Sequence, residues 1–321
     1  MLKPEITIIG AAIMDVLAGP VTPQIFAAYS TPMNSVKIAF GGDALNESVA
    51  LSRMGRTVDL ISKIGCDEAG DRVQEYLKSA GVETAHIKRE AGLETGVNIV
   101  LVDDQGERRF LSNPKGSLRA LSEADVEAYL DTAADLVSFA SMFVSPQLDV
   151  PAMERIFRRV KDTGRTLAVD MTNPKRGETL KDVRGLLPYV DYFFPNREEI
   201  ERLTGEKDAE KNAQILMEAG VSCAVVKCGG EGCLIRTKTE QFKIPAYPVQ
   251  TVVDTTGAGD CFAAGFLWGL LEGFSLEECG RFACATASCT VEQLGATTAI
   301  RSIEEPMRRY RAHPANLVMP K

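Results

Sequence analysis

Residues 254 to 260 read Asp254-Thr255-Thr256-Gly257-Ala258-Gly259-Asp260, a glycine-rich turn that ends on a carboxylate. An apolar run with helical period follows it. Phe262, Phe266 and Leu270 recur every four residues, as do Ala263, Leu267 and Leu271. The turn therefore feeds a helix N-terminus. Glycines let the backbone approach a ligand, and the free N–H groups of a first helical turn attract an anion. A phosphate whose charge is spreading over its oxygens is a natural guest. Asp260, in the first turn, would repel a phosphate that merely bound there. It is useful if it takes a proton from a hydroxyl that attacks the phosphorus. The simpler role is a first-turn carboxylate that steadies the helix through its dipole.

Four other segments carry chemistry-bearing residues. Gly41-Gly42-Asp43-Ala44-Leu45-Asn46-Glu47-Ser48 precedes Gly55 and Gly65. Its glycine pair lets the chain turn closely past a ligand. Asn46 offers a donor and an acceptor, or else caps a helix predicted over Glu47 to Met54. Asp15 lies just past the first strand, where α/β sheets bind ligands, and a carboxylate there can accept from two hydroxyls. Asn196-Arg197-Glu198-Glu199 has the spacing of a capping box. Lys227-Cys228-Gly229-Gly230-Glu231-Gly232 links two strand-like runs as a turn.

These residues need a frame. Strand-like runs at 6–9, 58–64, 136–143, 166–170, 191–194 and 221–227 alternate with helical ones at 71–80, 150–162 and 198–203. Short apolar strands alternating with helices imply a mostly parallel, doubly wound sheet covered on both faces. Two stretches break the rhythm. Pro20 to Phe40 reads as irregular. Val97 to Ser112 reads as a hairpin turning at Asp103 to Gly106, with Glu107 opening its second strand. We read segments of about 16–40 and 94–115 as a small β lid inserted into one domain spanning 1–321. The hairpin carries Arg108 and Arg109, followed by Asn113 and Lys115. Such charges protect a sheet edge or recognise a carboxylate.

Bulk properties narrow the function. The 321 residues are 45% hydrophobic and 25% charged, with a formal net charge of -8. That composition suits a globular protein able to bury a core without disulfides. The acidic balance argues against nucleic acid or an anionic membrane as main partner. No run approaches the roughly 18 apolar residues of a membrane span, and the first residues lack a signal-peptide layout, so a cytoplasmic location is expected. Eight cysteines without CxxC spacing read as buried reduced thiols. The two histidines, His86 and His313, are too few and too far apart for a His-based zinc site or triad. Neither GxxxxGK[ST] nor a GxGxxG after the first strand occurs, which leaves P-loop and Rossmann readings without their motifs.

Asp254 to Phe266 matches, position by position, the C-terminal signature of the ribokinase-like (PfkB) carbohydrate kinases, and Gly41 to Gly65 fits a second signature of that family. The resemblance runs from about Glu5 to about Ile303. It implies transfer of the γ-phosphoryl group of ATP to an alcohol, with Asp260 as base and Gly257, Ala258 and Gly259 as anion hole. It implies Asp15, Gly41, Gly42, Asp43 and Asn46 on the acceptor side, joined by Arg109 and Lys115 if the acceptor carries a carboxylate. Asn196, Lys227, Gly229, Gly230, Gly232 and Cys284 fall on the nucleotide side. Glu199 would hold Mg²⁺ through water, and Asp254 and Gly295 resemble a loop for K⁺. Asp43 and Val144 stand where ribokinases carry Lys and Glu, which argues against ribose. The expected acceptor is a sugar or sugar acid. A nucleoside kinase and a non-catalytic sensor on the same fold are the alternatives. Pairing of two lids into a homodimer is also expected.

Overall fold

The computed structural model describes residues 3–27, 29–104 and 108–312. The expected turn through Gly106, Glu107 and His313 lie partly or wholly outside them. In chain order the strands begin with β1 (Ile6–Ile9), β2 (Ile13–Val21), β3 (Ser35–Gly41), β4 (Val58–Gly65), β5 (Ile87–Glu90), β6 (Val97–Asp103) and β7 (Arg108–Ser112). They continue with β8 (Leu136–Met142), β9 (Thr166–Met171), β10 (Tyr192–Phe193), β11 (Cys223–Lys227), β12 (Cys233–Arg236) and β13 (Gln241–Ile244). The helices are α1 (Asp43–Arg53), α2 (Glu68–Ser79), α3 (Glu123–Glu127), α4 (Val150–Asp162), α5 (Leu180–Val183), α6 (Arg197–Thr204), α7 (Ala209–Glu218), α8 (Ala258–Leu271), α9 (Leu276–Thr290) and α10 (Glu304–Ala312).

Nine strands form the main sheet in the order β13-β12-β11-β10-β9-β8-β1-β4-β5. It is parallel from β5 to β11, and β12 and β13 add an antiparallel edge. Side-chain alternation sends Ile6, Ile8, Ala168 and Val225 to one face, against α1, α8 and α9. Ile9, Val169 and Val226 go to the other, against α4, α6 and α7. The expected doubly wound α/β sheet is thus present. α4 shows how local sequence sets each helix. Asp149 caps it by accepting the Ala152 N–H at 3.0 Å, and Pro151 sits in the first turn, where its missing N–H costs nothing. Met153, Ile156, Phe157 and Val160 then recur at helical spacing and are buried. Phe157 meets Phe139 of β8 edge-on at 5.2 Å, and burying each such ring contributes about 2–3 kcal/mol. Among the described residues, no helix is long and apolar enough to cross a membrane.

A second sheet, ordered β3-β2-β6-β7, stands over the carboxyl ends of β1 and β8. It corrects the reading of 20–40 as irregular, because β2 continues to Val21 and β3 occupies Ser35–Gly41. Pro20 is tolerated inside β2 because the β2–β6 register slips between Ala18 and Val21, so no ladder N–H is demanded of it. Register decides which lid residues face the site. Asp15 lies opposite Asn98, and Asn98 opposite Ser112, on the inner face. Val16, Ile99 and Leu111 form the outer row, joined by Ile38 and, opposite Leu101, Arg109. Among the described residues nothing covers the outer face: Val36 is 65% exposed, Ile38 50%, Ile99 45% and Leu111 54%.

Candidate active site

The glycine-rich turn opens α8 as the sequence implies. Gly257 is its N-cap, with φ of 73°, a left-handed backbone that favours glycine. A Cβ there would come within 2.3 Å of the Ala296 Cβ, so any side chain would prise the 295–297 loop off the turn. Asp260 follows in the first turn, half-buried, and its Oδ2 accepts the Asn46 Nδ2–H at 2.7 Å. Burial pushes the Asp260 pKa up to about 6. The Asn46 hydrogen bond and Lys227 pull it down, and Asp170 pushes it up. A carboxylate with pKa near 6 is ionised at neutral pH yet basic enough to accept a proton.

Two cavities meet at this turn. The first, about 430 Å³, is lined by the inner face of the lid together with Gly41, Gly42, Asp43, Asn46, Thr256, Gly257 and Asp260. Asp15, at its edge, has Oδ1 engaged by the Asn98 Nδ2–H at 2.9 Å, and Asn98 Oδ1 accepts the Ser112 hydroxyl at 2.6 Å. Burial raises the Asp15 pKa against the pull of Asn98 and Arg108. Gly41 passes so close to Asp15 that a Cβ would lie 2.6 Å from its Oδ2. α1 begins directly after Gly42, not at Glu47 as expected, which corrects the capping role for Asn46. Four residues into the helix, it reaches Asp260 instead. Asp43, the first residue of α1, receives the Ser141 hydroxyl at 3.3 Å. Burial, then the charges of Asp260 and Asp170, hold its pKa well above the usual carboxylate range.

The second cavity, about 460 Å³, is mostly apolar and is lined by Lys227, Gly229, Gly230, Gly232, Tyr247, Ala258, Gly259, Phe262 and Cys284, among others. Its shape and lining suit a flat ring. Gly232 has φ of 97°, and a Cβ there would fall 1.9 Å from the Ile244 carbonyl oxygen, so the turn is closed to other residues. The Lys227 Nζ reaches Asp170 at 2.6 and 2.8 Å and stands 3.5 Å from where a Gly259 Cβ would be. Burial alone would depress this ammonium, but Asp170, Glu199 and Asp260 outweigh it and hold its pKa above the ordinary lysine value. Asn196 and Glu199 form the capping box in full: Asn196 Oδ1 accepts the Glu199 N–H at 2.9 Å, and Glu199 Oε2 accepts the Asn196 N–H at 2.8 Å. Burial pushes Glu199 up to about 7.

The structure does not bring Arg109 and Lys115 to the site. Arg109 sits on the outer face of the lid because β7 alternates, and exposed Lys115 lies in the turn after β7, outside the cavity lining. Strand register brings in Arg108, Asn98 and Ser112 instead. A short 3-10 turn at Ser117–Arg119 and the loop after β9 add Arg119 and Lys175, which line the first cavity and have no ion-pair partner among the described residues. Asp254 and Gly295 do come together, through the Gly295 N–H to Asp254 Oδ2 at 2.7 Å. Among the described residues, no three His, Cys, Asp or Glu side chains converge as direct metal ligands.

Comparison with known proteins agrees with this geometry. The family model described as "pfkB family carbohydrate kinase" matches residues 3–303. An uncharacterised sugar kinase of Archaeoglobus fulgidus is 34% identical over 259 residues, covering 80% of this chain and all of that protein. A ribokinase of Haemophilus influenzae is 29% identical, covering 84% of this chain and 87% of that protein. A solved structure of a putative ribokinase II from E. coli, in complex with ATP and Mg²⁺, superposes with a TM-score of 0.81 at 24% identity, over 97% of this chain and all of that one. A match over nearly the whole length, on a fold that sets two cavities against one glycine-rich helix start, has one consequence: the chain belongs to the pfkB family of carbohydrate kinases.

Proposed function

We propose that this kinase moves the γ-phosphoryl group of ATP to a hydroxyl of a sugar or sugar acid, with Asp260 as base. The observation that carries the reading is the shared wall of the two cavities. Thr256, Gly257 and Asp260 face the first, while Thr255, Ala258 and Gly259 face the second. An acceptor in the first and a nucleotide in the second would meet at one helix N-terminus. Asp15 and Asn98 hold acceptor hydroxyls. Asp260 takes the proton of the attacking hydroxyl as the new O–P bond forms, and the bond to ADP breaks. The N–H groups of Gly257 to Gly259 receive the charge on the phosphoryl oxygens. A non-catalytic sensor would need neither the base nor its Asn46 support.

Mg²⁺ fits beside Glu199. The donors there are oxygens, which suit a hard cation, and Glu199 Oε1 is uncommitted while Oε2 caps α6. The ion, when bound, would neutralise phosphate charge and be held by Glu199 through water. Gln can still complete a capping box, so Glu199→Gln is expected to leave the melting temperature within about 2 °C while raising the Mg²⁺ concentration for half-maximal rate about tenfold. A lower melting temperature with unchanged Mg²⁺ dependence would assign Glu199 to capping alone.

Arg119 and Lys175 favour an acceptor with a carboxylate, since two unpaired cations at one cavity wall seek an anion. A coupled ADP-release assay across aldoses, their aldonates, ketodeoxy acids and nucleosides tests both the reaction and the class. The acid is expected to exceed its neutral parent about 10- to 100-fold in kcat/KM, with that preference lost in Arg119→Ala or Lys175→Ala. Equal values for acid and neutral sugar in all three proteins would leave a plain sugar kinase, and turnover of nucleosides alone would replace the acceptor class.

The apolar outer face of the lid supports a homodimer in which two lids pack face to face, and light scattering at micromolar concentration checks it; a monomer mass refutes it. The eight cysteines are all unpaired, which supports a reducing, cytoplasmic setting.

A further inference from the structure

The resemblance implies a K⁺ loop at Asp254 and Gly295, and the residues present do not fit one. A monovalent cation needs converging oxygen acceptors. Here the buried Asp254 carboxylate already accepts N–H donors on both oxygens. Its Oδ1 accepts the Thr256 N–H at 2.9 Å. Its Oδ2 accepts the Gly295 N–H at 2.7 Å and the Arg108 Nη2–H at 2.5 Å. Only 4% of the Asp254 side chain and 15% of Arg108 is exposed, so water does little to screen the pair. The Thr298 hydroxyl lies over the neighbouring carbonyls, 2.7 Å from that of Leu294 and 3.1 Å from that of Gly295.

Arg108 comes from the inner face of the lid, 146 residues away in sequence. Asp254 therefore joins three pieces that must be in register for the reaction. Through Thr256 it holds the turn that leads into the anion hole. Through Gly295 it holds the loop whose Ala296 packs on Gly257. Through Arg108 it holds the lid over the acceptor cavity. The buried carboxylate needs a positive charge to offset its desolvation. An arginine meets that need without recruiting an ion from solution, and its planar fork directs the hydrogen bond as well.

We propose that the Arg108 guanidinium takes the place of a monovalent cation beside Asp254, so that this kinase orders its anion hole without potassium and does so only when the lid is in place. Arg108 is thus a positioning residue, acting through Asp254. The rate arm of the test rests on the phosphotransfer reading above, and the melting arm does not. Rate and melting temperature are measured in KCl, NaCl and choline chloride at one ionic strength, for the wild type, Arg108→Lys and Arg108→Met. The wild type is expected to differ less than about twofold in rate among the salts and to gain no K⁺-specific rise in melting temperature. Arg108→Met leaves Asp254 without a cation, so its rate in choline is expected to fall at least about tenfold, with K⁺ restoring several-fold and raising its melting temperature in a concentration-dependent way. Arg108→Lys keeps a positive charge beside Asp254, so whatever its rate, that rate should not respond to K⁺ over choline. K⁺ activation of the wild type above about fivefold, or a K⁺-specific melting shift in it, overturns the proposal. So does an Arg108→Met protein that matches the wild type in choline, or one that is folded by circular dichroism yet neither activated nor stabilised by K⁺. If Arg108→Met does not fold, the wild type and Arg108→Lys salt series decide alone.

Discussion

Asp260→Asn is expected to lower kcat about 10²- to 10⁴-fold while leaving the fold and nucleotide binding in place. The substitution keeps shape and polarity. The new amide oxygen can still accept the Asn46 N–H that Asp260 accepts at 2.7 Å. What is lost is the proton acceptor. The pH profile gives a second, independent readout. The Asp260 pKa is raised to about 6, so the carboxylate is ionised and active above that pH and protonated below it. The wild-type rate should therefore fall along an acid limb as Asp260 takes a proton below about pH 6, and the Asp260→Asn profile should lose that step while keeping any that Glu199 contributes nearer pH 7. Burial is the leading cause of the raised pKa, so loosening the site should move the limb downward. Asn46→Ala acts the other way: it removes the hydrogen bond that favours the ionised form and should shift the limb to higher pH. A loss of less than about tenfold in Asp260→Asn, with the acid limb intact, would remove Asp260 from the role of base.

The parts of this site that are contiguous in sequence were legible, and the parts assembled by register were not. The turn Gly257–Gly259 with Asp260 is one local unit, because a glycine N-cap and a first-turn carboxylate need only the backbone that follows them. Gly41 and Gly42 are similar. The double signature could therefore be read without a structure, as could the parallel sheet, whose strands are nearly continuous apolar runs. Lid residues behave differently. Adjacent Arg108 and Arg109 look equivalent in sequence, yet one strand step sends them to opposite faces: Arg108 opposite Val102 toward the site, Arg109 opposite Leu101 toward the outside. The pairing of Asp15 with Asn98 fixes that parity. The sequence does carry one signal: if Ile99 and Leu101 of β6 and Leu111 of β7 form an outward apolar row, strand alternation turns Asn98, Arg108 and Ser112 inward. Asp170 was visible only as a strand end. Its partner Lys227 lies 57 residues on, and nothing local announces that β9 and β11 deliver both to the same carboxyl edge, with β10 between them. Arg119 and Lys175 reach the cavity from two further loops for the same topological reason.

Lys227→Met is expected to cost both stability and rate, and a second substitution separates the two. Lys227 and Asp170 form a two-pronged pair at 2.6 and 2.8 Å, with 12% and 5% of their side chains exposed. Around them stand Glu199 and Asp260, with Asp43 and Glu47 within reach of the same field. Lys227 lowers the pKa of Asp43, Asp170, Glu199 and Asp260 alike. Its removal leaves Asp170 buried without its counter-ion, which destabilises by about 3–5 kcal/mol in urea unfolding. The pKa of Asp260 should rise as well, since Lys227 now lowers it, and the acid limb of the rate should move up with it. Adding Asp170→Asn replaces the orphaned charge with a neutral amide of the same shape, and most of the lost stability should return. The rate should not. The Lys227 ammonium stands beside Gly259 and walls the second cavity, where the proposed reaction would develop charge on the transferring phosphoryl group. Loss of such a preorganised cation typically lowers kcat about 10²- to 10³-fold, whatever the stability of the frame. The double variant should thus be nearly as stable as the wild type and still at least about a hundredfold slower. Recovery of rate together with stability would make Lys227 a structural ion-pair partner only, and a single variant within about 1 kcal/mol of the wild type would deny it even that role.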